Sequence, residues 1–197
     1  MKITANDISE LFDRVKALEK KFGVTHIPKG LKIGDEFKLA DINWKIIDIT
    51  DDGFMCIGDS LGNKIFDNNS NNWNKSSLRT YLNGELYEKI SKEIGKENII
   101  SFQRDLLSLD GQEEYGESED FVSLLTVDEY RKYRKNIPNI SKWWWLITPF
   151  STSCNDCEIY YTVVSPSGCI YYSFCYDFIG VRPVCIFSSS IFESEIK

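Results

Sequence analysis

Between Trp143 and Val181 the chain carries no lysine or arginine, although it has 23 in all. The stretch opens on Trp143-Trp144-Trp145 and runs into Gly180-Val181-Arg182-Pro183-Val184. Five of the six cysteines lie at or beyond Cys154, and half of the 10 tyrosines fall between Tyr160 and Tyr176. Two readings fit this composition. Tyrosine supplies contact area at low entropic cost and Ser and Asn supply adaptable hydrogen bonds, which is the chemistry of a recognition surface. The same residues also make a tyrosine-rich antiparallel hairpin held by cross-strand aromatic pairs. Either way, alternate residues of a strand point to opposite faces. Tyr172, Phe174 and Tyr176 therefore cannot share a face with Tyr171. By the same alternation Trp143 and Trp145 face one way and Trp144 the other.

A chain of 197 residues suits one domain of usual size plus a small appendage. The net charge of −7 argues against nucleic acid as a partner, because phosphate binding needs a basic patch. The cluster Arg131-Lys132-Tyr133-Arg134-Lys135 reads as the solvated end of a helix. No apolar run reaches the roughly 18 residues of a membrane span. MKITANDISELF has no apolar signal-peptide core, so a protein made in the cytoplasm without membrane insertion is expected.

Asp7 and Glu10 form a capping-box pair at the start of an N-terminal amphipathic helix. Ile8, Leu11, Val15, Leu18 and Phe22 follow at spacings of three, four, three and four, a short heptad seam. Such a helix either packs on its own domain or joins copies of the chain; residues 1–24 are read as a coiled-coil stalk giving a homo-oligomer. Residues 25–30, with Pro28 and Gly30, read as a linker. Strands are expected over Lys32–Phe37, Ile42–Ile49 and Phe54–Ile57, with a turn at Asp51-Asp52-Gly53. Asn68–Asn72 is a polar loop. Ser76–Asn83 and Glu85–Ile94 are two helices, the first capped by Ser76 or Ser77. Lys96–Phe102 is a connecting strand, Leu106–Asp120 a surface loop and Phe121–Leu125 a short apolar strand. Thr126 and Glu129 open a helix to about Arg134. Strands Trp143–Thr148, Ile159–Val164, Cys169–Tyr176 and Arg182–Phe187 form one antiparallel sheet, with a turn at Ser165–Gly168. The class is α+β, with short antiparallel strands and two or three helices.

Several markers then line up in order. They are Trp73-x2-Ser76-Ser77-Leu78-Arg79-x-Tyr81-Leu82-Asn83, Val122-Ser123-Leu124-Leu125-Thr126-x2-Glu129, Trp144-Trp145-Leu146-Ile147-Thr148-Pro149 and Gly180-Val181-Arg182-Pro183-Val184. Together they resemble a domain of unassigned function that recurs in gut bacteria and their phages. That family looks like a C-type-lectin-like fold, of the kind shared with formylglycine-generating enzymes. The resemblance covers about Leu31–Phe187, within an expected domain of residues 31–190 and a tail of 191–197. Ile147-Thr148 stands where the family usually has Arg-Ser. The fold class includes the variable proteins of diversity-generating retroelements, in which adenines of a C-terminal repeat are mutated, mostly in AAY codons. From Phe150 to Ile179 only Glu158 cannot be reached from such codons. The resemblance thus implies a ligand-binding protein of a phage or prophage, with virion association as its setting and a protein or glycan ligand on a cell surface as its partner. The expected contact residues are Ser153, Cys154, Asn155, Asp156, Cys157, Tyr160, Tyr161, Cys169, Tyr171, Tyr172, Phe174 and Tyr176. An undiversified structural or interaction domain of the same family is the alternative.

Other chemistries are weaker. Cys154-x-x-Cys157 has zinc-ligand spacing, but Cys169 and Cys175 do not form a second tight pair. Asp156 and Asp177 are too few oxygen ligands for calcium in this segment. His26, the one histidine, lies in the linker, which leaves no histidine-based nucleophile pair. No catalytic residue, metal or cofactor is therefore expected. Arg182 is expected to be structural, paired with backbone or a carboxylate.

Overall fold

The computed structural model describes Leu11, Arg14 and residues 30–192. The seam of the N-terminal helix lies outside the described residues except for Leu11, which is helical and exposed. The linker lies outside them too, save Gly30, whose N–H donates to the Phe192 carbonyl. The class is α+β: two five-stranded sheets, a separate hairpin and helices on both sides.

The first sheet has the order β1 (Glu36–Leu39), β2 (Ile42–Ile49), β3 (Gly53–Gly58), β12 (Val184–Ser188) and β5 (Ile99–Ile100). The expected first strand is displaced: Lys32–Gly34 is turn and β1 starts at Glu36. Ala40 and Asp41 both take positive φ between β1 and β2, as a type I′ hairpin requires. At the β2–β3 turn Gly53 is obligatory, because a Cβ there would lie 2.1 Å from the Phe187 carbonyl oxygen.

The second sheet has the order β10 (Ile170–Phe174), β9 (Tyr160–Val164), β8 (Trp144–Pro149), β11 (Ile179–Gly180) and β4 (Asn63–Lys64). One expectation fails here. The strand expected over Arg182–Phe187 does not join this sheet; it is β12 and pairs with β3 and β5 in the other. The chain changes sheets at Val181-Arg182-Pro183. Gly180 runs parallel to β8, and its missing Cβ leaves room for the Trp143 carbonyl, which would be 2.6 Å from it. Arg182 then bridges the sheets from inside. Its Nε donates to the Gly58 carbonyl, its Nη1 to that of Pro138, and its guanidinium lies 5.2 Å from the Trp144 ring centroid. Burial pulls its pKa down to about 10, which still leaves it charged at neutral pH.

β8 is buried on both faces. Trp145 points into a core shared with Trp44, Phe66, Trp73, Tyr161 and Phe187, while Trp144 points into a second core with Ile57, Tyr130, Val164 and Ile186. The first core is covered by helical residues Leu78, Leu82, Leu86 and Ile90, the second by Val127, Tyr130 and Tyr133. The two expected helices over 76–94 are one run: α1 (Ser77–Tyr81), a π-helical segment (Leu82–Leu86) and α2 (Tyr87–Ile94). Gly84 does not break it because Leu82 and Leu86 hold the segment on the core. Ser76 caps α1, its Oγ accepting from the Arg79 N–H. α3 (Val127–Tyr133) has the full capping box of Thr126 and Glu129.

Three more expectations are corrected. The surface loop expected over Leu106–Asp120 ends in a strand, β7 (Glu117–Asp120), paired with β6 (Phe102–Asp105). Its residues alternate, Glu117 and Glu119 outward, Ser118 and Asp120 inward. Lys96–Phe102 is a 3-10 turn (Lys96–Asn98) followed by β5, not one strand. Phe121–Leu125 is buried in part but makes only a bridge, Ser123 to Val184, because the Asn83 side chain takes the Phe121 and Val122 N–H groups.

Glu129 gives the fold a pH dependence. Burial pushes its carboxyl up, but the hydrogen bonds and charge of Arg104 outweigh burial and hold it below the usual range. A carboxylate depressed in the folded state contributes stability that is complete above its unfolded pKa, about 4.3. That contribution is lost as pH falls through the lower, folded value. The melting temperature is therefore expected to fall as pH drops below about 4.3, and more steeply than in E129Q. Parallel melting curves of the two proteins check this; equal slopes would remove Glu129 as the cause.

Candidate functional site: an exposed aromatic face on the outer hairpin

β9 and β10 form a hairpin at the margin of the second sheet, in the register Tyr160–Phe174, Thr162–Tyr172 and Val164–Ile170. Its turn is fixed from below. Gly168 has a φ of 86°, its carbonyl accepts from the Tyr130 Oη, and an added Cβ would strike Arg134. The alternation divides the tyrosines and the cores decide what each side meets. Tyr161 faces the first core and is fully buried, stacked on Phe66 at 3.7 Å with its Oη donating to the Ile147 carbonyl. Its place among the expected contact residues is thus a correction: Tyr161 is scaffold.

Tyr160 lies on the other face, and there the core has ended. It is joined by Phe150, Tyr172, Phe174 and Tyr176 in a connected set of rings. Phe150–Tyr172, Tyr160–Tyr172, Tyr160–Phe174 and Phe174–Tyr176 lie at 4.8, 5.5, 5.1 and 5.1 Å between centroids. Tyr172 is 57%, Tyr176 46% and Phe174 37% exposed. Tyr171 is on the opposite face, exposed and 5.3 Å from Trp143, itself exposed. Phe178, at 73% the most exposed aromatic side chain among the described residues, lies apart, lining a shallow cleft of about 320 Å³ with Ile65 and Tyr81.

The polar residues of the expected site are differently engaged. Ser153 Oγ donates to Glu114 Oε1 at 2.6 Å, and the Cys154 N–H donates to the other oxygen at 3.2 Å. The Ser153 hydroxyl, first, and Cys154 pull the Glu114 pKa down to about 2. Glu114 in turn raises the pKa of the Cys154 thiol, which therefore lacks the thiolate character of a nucleophile. Asn155 donates to Asp110 at 3.0 Å. Asp156 takes the left-handed conformation that closes this turn, at φ 53°. The whole loop hangs on the buried Asn71. Its Nδ2 donates to the carbonyls of Ser151, Cys157 and Tyr160, and its Oδ1 accepts from Tyr115.

The cysteines do not converge. Cys169 sits beside the hairpin turn and Cys175 follows Phe174, so they are separated by the length of β10, about 17–20 Å at 3.3 Å per residue. Cys175 is also buried. Among the described residues no three His, Cys, Asp or Glu side chains gather as a metal site.

A larger cleft, about 430 Å³, opens between β6 and α3 and contains Arg104, Asp128, Glu129 and Thr148. Two of its polar pairings already serve the fold. Arg104 is paired with Glu129, and Thr148 Oγ1 accepts from the Val127 N–H. The residues that the ordered markers share are likewise structural. From the markers, Trp73 Nε1, Arg79 Nε, Asn83 Nδ2 and Ser123 Oγ, together with Ser118 Oγ from outside them, converge on the carboxylate of Asp120, whose side chain has no solvent exposure. Neither Asp120 nor Asn71 stood out in the sequence, where each is one polar residue in a polar run.

Among the described residues no helix is long and apolar enough to cross a membrane. No family model matches the chain, and neither the curated proteins nor the solved structures contain a match to it.

Proposed function

We propose that this chain is a non-enzymatic ligand-binding protein with a C-type-lectin-like domain. Its contact surface is the ring set of Phe150, Tyr160, Tyr172, Phe174 and Tyr176, extended by the loop Ser153–Cys157. The observation that carries this reading is the connected exposed aromatic face on a braced hairpin. Apolar patches of this kind mark interaction sites when they persist on a folded surface. The scaffold is rigid and the contacting rings have few rotatable bonds, so little entropy is lost on binding. The partner is a protein or glycan on a cell surface, and the setting is a phage or prophage product of the diversity-generating-retroelement type. The distribution of residue types supports it: the ring-bearing positions fall inside the segment reachable from AAY codons, and the Asp120 hub and Arg182 fall outside it.

The genetic test is the flanking DNA. The reading expects a near-copy of the Phe150–Val184 coding region, differing at adenines, beside a reverse transcriptase gene. The biochemical test is substitution. Tyr172→Ser and Tyr176→Ser are expected to leave stability within about 0.5 kcal/mol, as exposed changes usually do. Each should weaken attachment to the host cell by about 2 kcal/mol, the size of an anchor residue. Cell-binding titrations with chemical denaturation in parallel separate the two effects. Unchanged binding in the double variant would remove the aromatic face as the site.

A further inference from the structure

β10 ends the second sheet, and its outer edge is unlike the other strand margins among the described residues. β1 carries Glu36 and Lys38, β4 carries Lys64, β5 has two residues, and both strands of the β6–β7 hairpin are charged. Charged or short edges are how folded proteins prevent edge-to-edge pairing. β10, Ile170–Phe174, is five residues long and has no charged side chain.

Which backbone groups are free follows from the pairing. Cys169 accepts from Ser165, and the Cys175 N–H donates to Ile159, so the odd-numbered residues bond inward toward β9. Antiparallel pairing alternates, and the N–H and C=O of Ile170, Tyr172 and Phe174 therefore point outward. Those of Phe174 are already used: its N–H donates to Asp177 Oδ2 at 3.1 Å and its carbonyl accepts from the Asp177 N–H at 2.9 Å. The open edge is thus Ile170 and Tyr172, bounded by the Asp177 turn.

We infer that this edge pairs with the same edge of a second copy of the chain. A two-fold axis at Tyr171 sets Ile170 opposite Tyr172 of the partner subunit and joins the four free groups of each strand in four hydrogen bonds. Such an interface is isologous and closes at two copies. β10 carries no charged side chain, so two chains of net charge −7 meet there without opposing like charges. Tyr171 meets its counterpart across the axis, an aromatic cross-strand pair, flanked by Trp143. The aromatic faces of the two copies then lie side by side in one ten-stranded sheet. Pairing does not depend on which ligand that face takes.

The experiment is sedimentation equilibrium of the full chain over a rising concentration series, with amide exchange at Ile170 and Tyr172. The mass is expected to move from one chain toward two, with both amides becoming protected as it does. Y171K puts like charges face to face on the axis and leaves the backbone intact, so it should stay at one chain with both amides unprotected. Y176K alters the aromatic face outside the paired residues and should associate as the parent does. A parent that stays monomeric overturns the inference. So does a Y171K that still associates, since the contact is then elsewhere in the chain. Equal loss of association in Y176K also overturns it, because general aromatic adhesion would then be the cause.

Discussion

Replacing Asp120 by alanine is expected to destabilise the protein by about 3–5 kcal/mol, the range for breaking a buried ion pair from one side. The value should fall toward the lower end, because Arg79 is 29% exposed and can recover some hydration. Trp73 Nε1, Ser118 Oγ and Ser123 Oγ cannot, since all three residues are buried. The carboxylate also joins three parts of the chain, the α1 run, β7 and the segment leading to α3. Its loss should therefore shift the urea midpoint of the whole cooperative transition. Asp120→Asn tests the charge separately, because an amide presents donors to donors. A loss below about 1 kcal/mol, the net value of one ordinary hydrogen bond, would show that the hub is not a determinant of stability.

Asn71→Ala is expected to have the second largest effect, about 2–4 kcal/mol. Each buried acceptor left without a donor costs about 1–3 kcal/mol, and the amide serves three carbonyls at 2.8–3.2 Å. Water can reach part of the site, which limits the sum. The distinguishing result is local. Amides of Ser151–Cys157 should exchange faster than those of β8, and the loop should lose its register against Tyr160. Hydrogen exchange with denaturation in parallel checks both. Unchanged exchange in the loop would show that Glu114 and Asp110 hold it without Asn71.

The sequence made the elements legible wherever a local interaction decides them. Thr126 and Glu129 form their capping box, and Ser76 caps its helix, because a cap depends on residues three apart. The turn at Ser165–Gly168 and the split between Trp144 and Trp145 follow from backbone chemistry and a period of two. The failures share a cause as well. The strand pattern of β12 says nothing about its neighbours, so it does not reveal that β12 belongs between β3 and β5. β7 has no strand signature in the sequence because its inward residues are Ser118 and Asp120, polar groups whose burial makes sense only beside Trp73 and Arg79. The helices expected over Ser76–Asn83 and Glu85–Ile94 are one run because buried Leu82 and Leu86 hold the junction on the core.

In the aromatic segment, alternation along a strand forces the rings onto two faces. It could not say which face is covered, since that depends on residues far along the chain. Phe66 and Trp145 bury Tyr161, while the second core ends before it reaches Tyr160 and Tyr172. Asn71 and Asp120 show the same limit in polar form. A lone polar residue is costly to bury and is buried only where several donors or acceptors meet it. That meeting joins segments more than 35 residues apart, from Asn83 to Asp120 and from Asn71 to Tyr160, so it is a property of the tertiary structure alone.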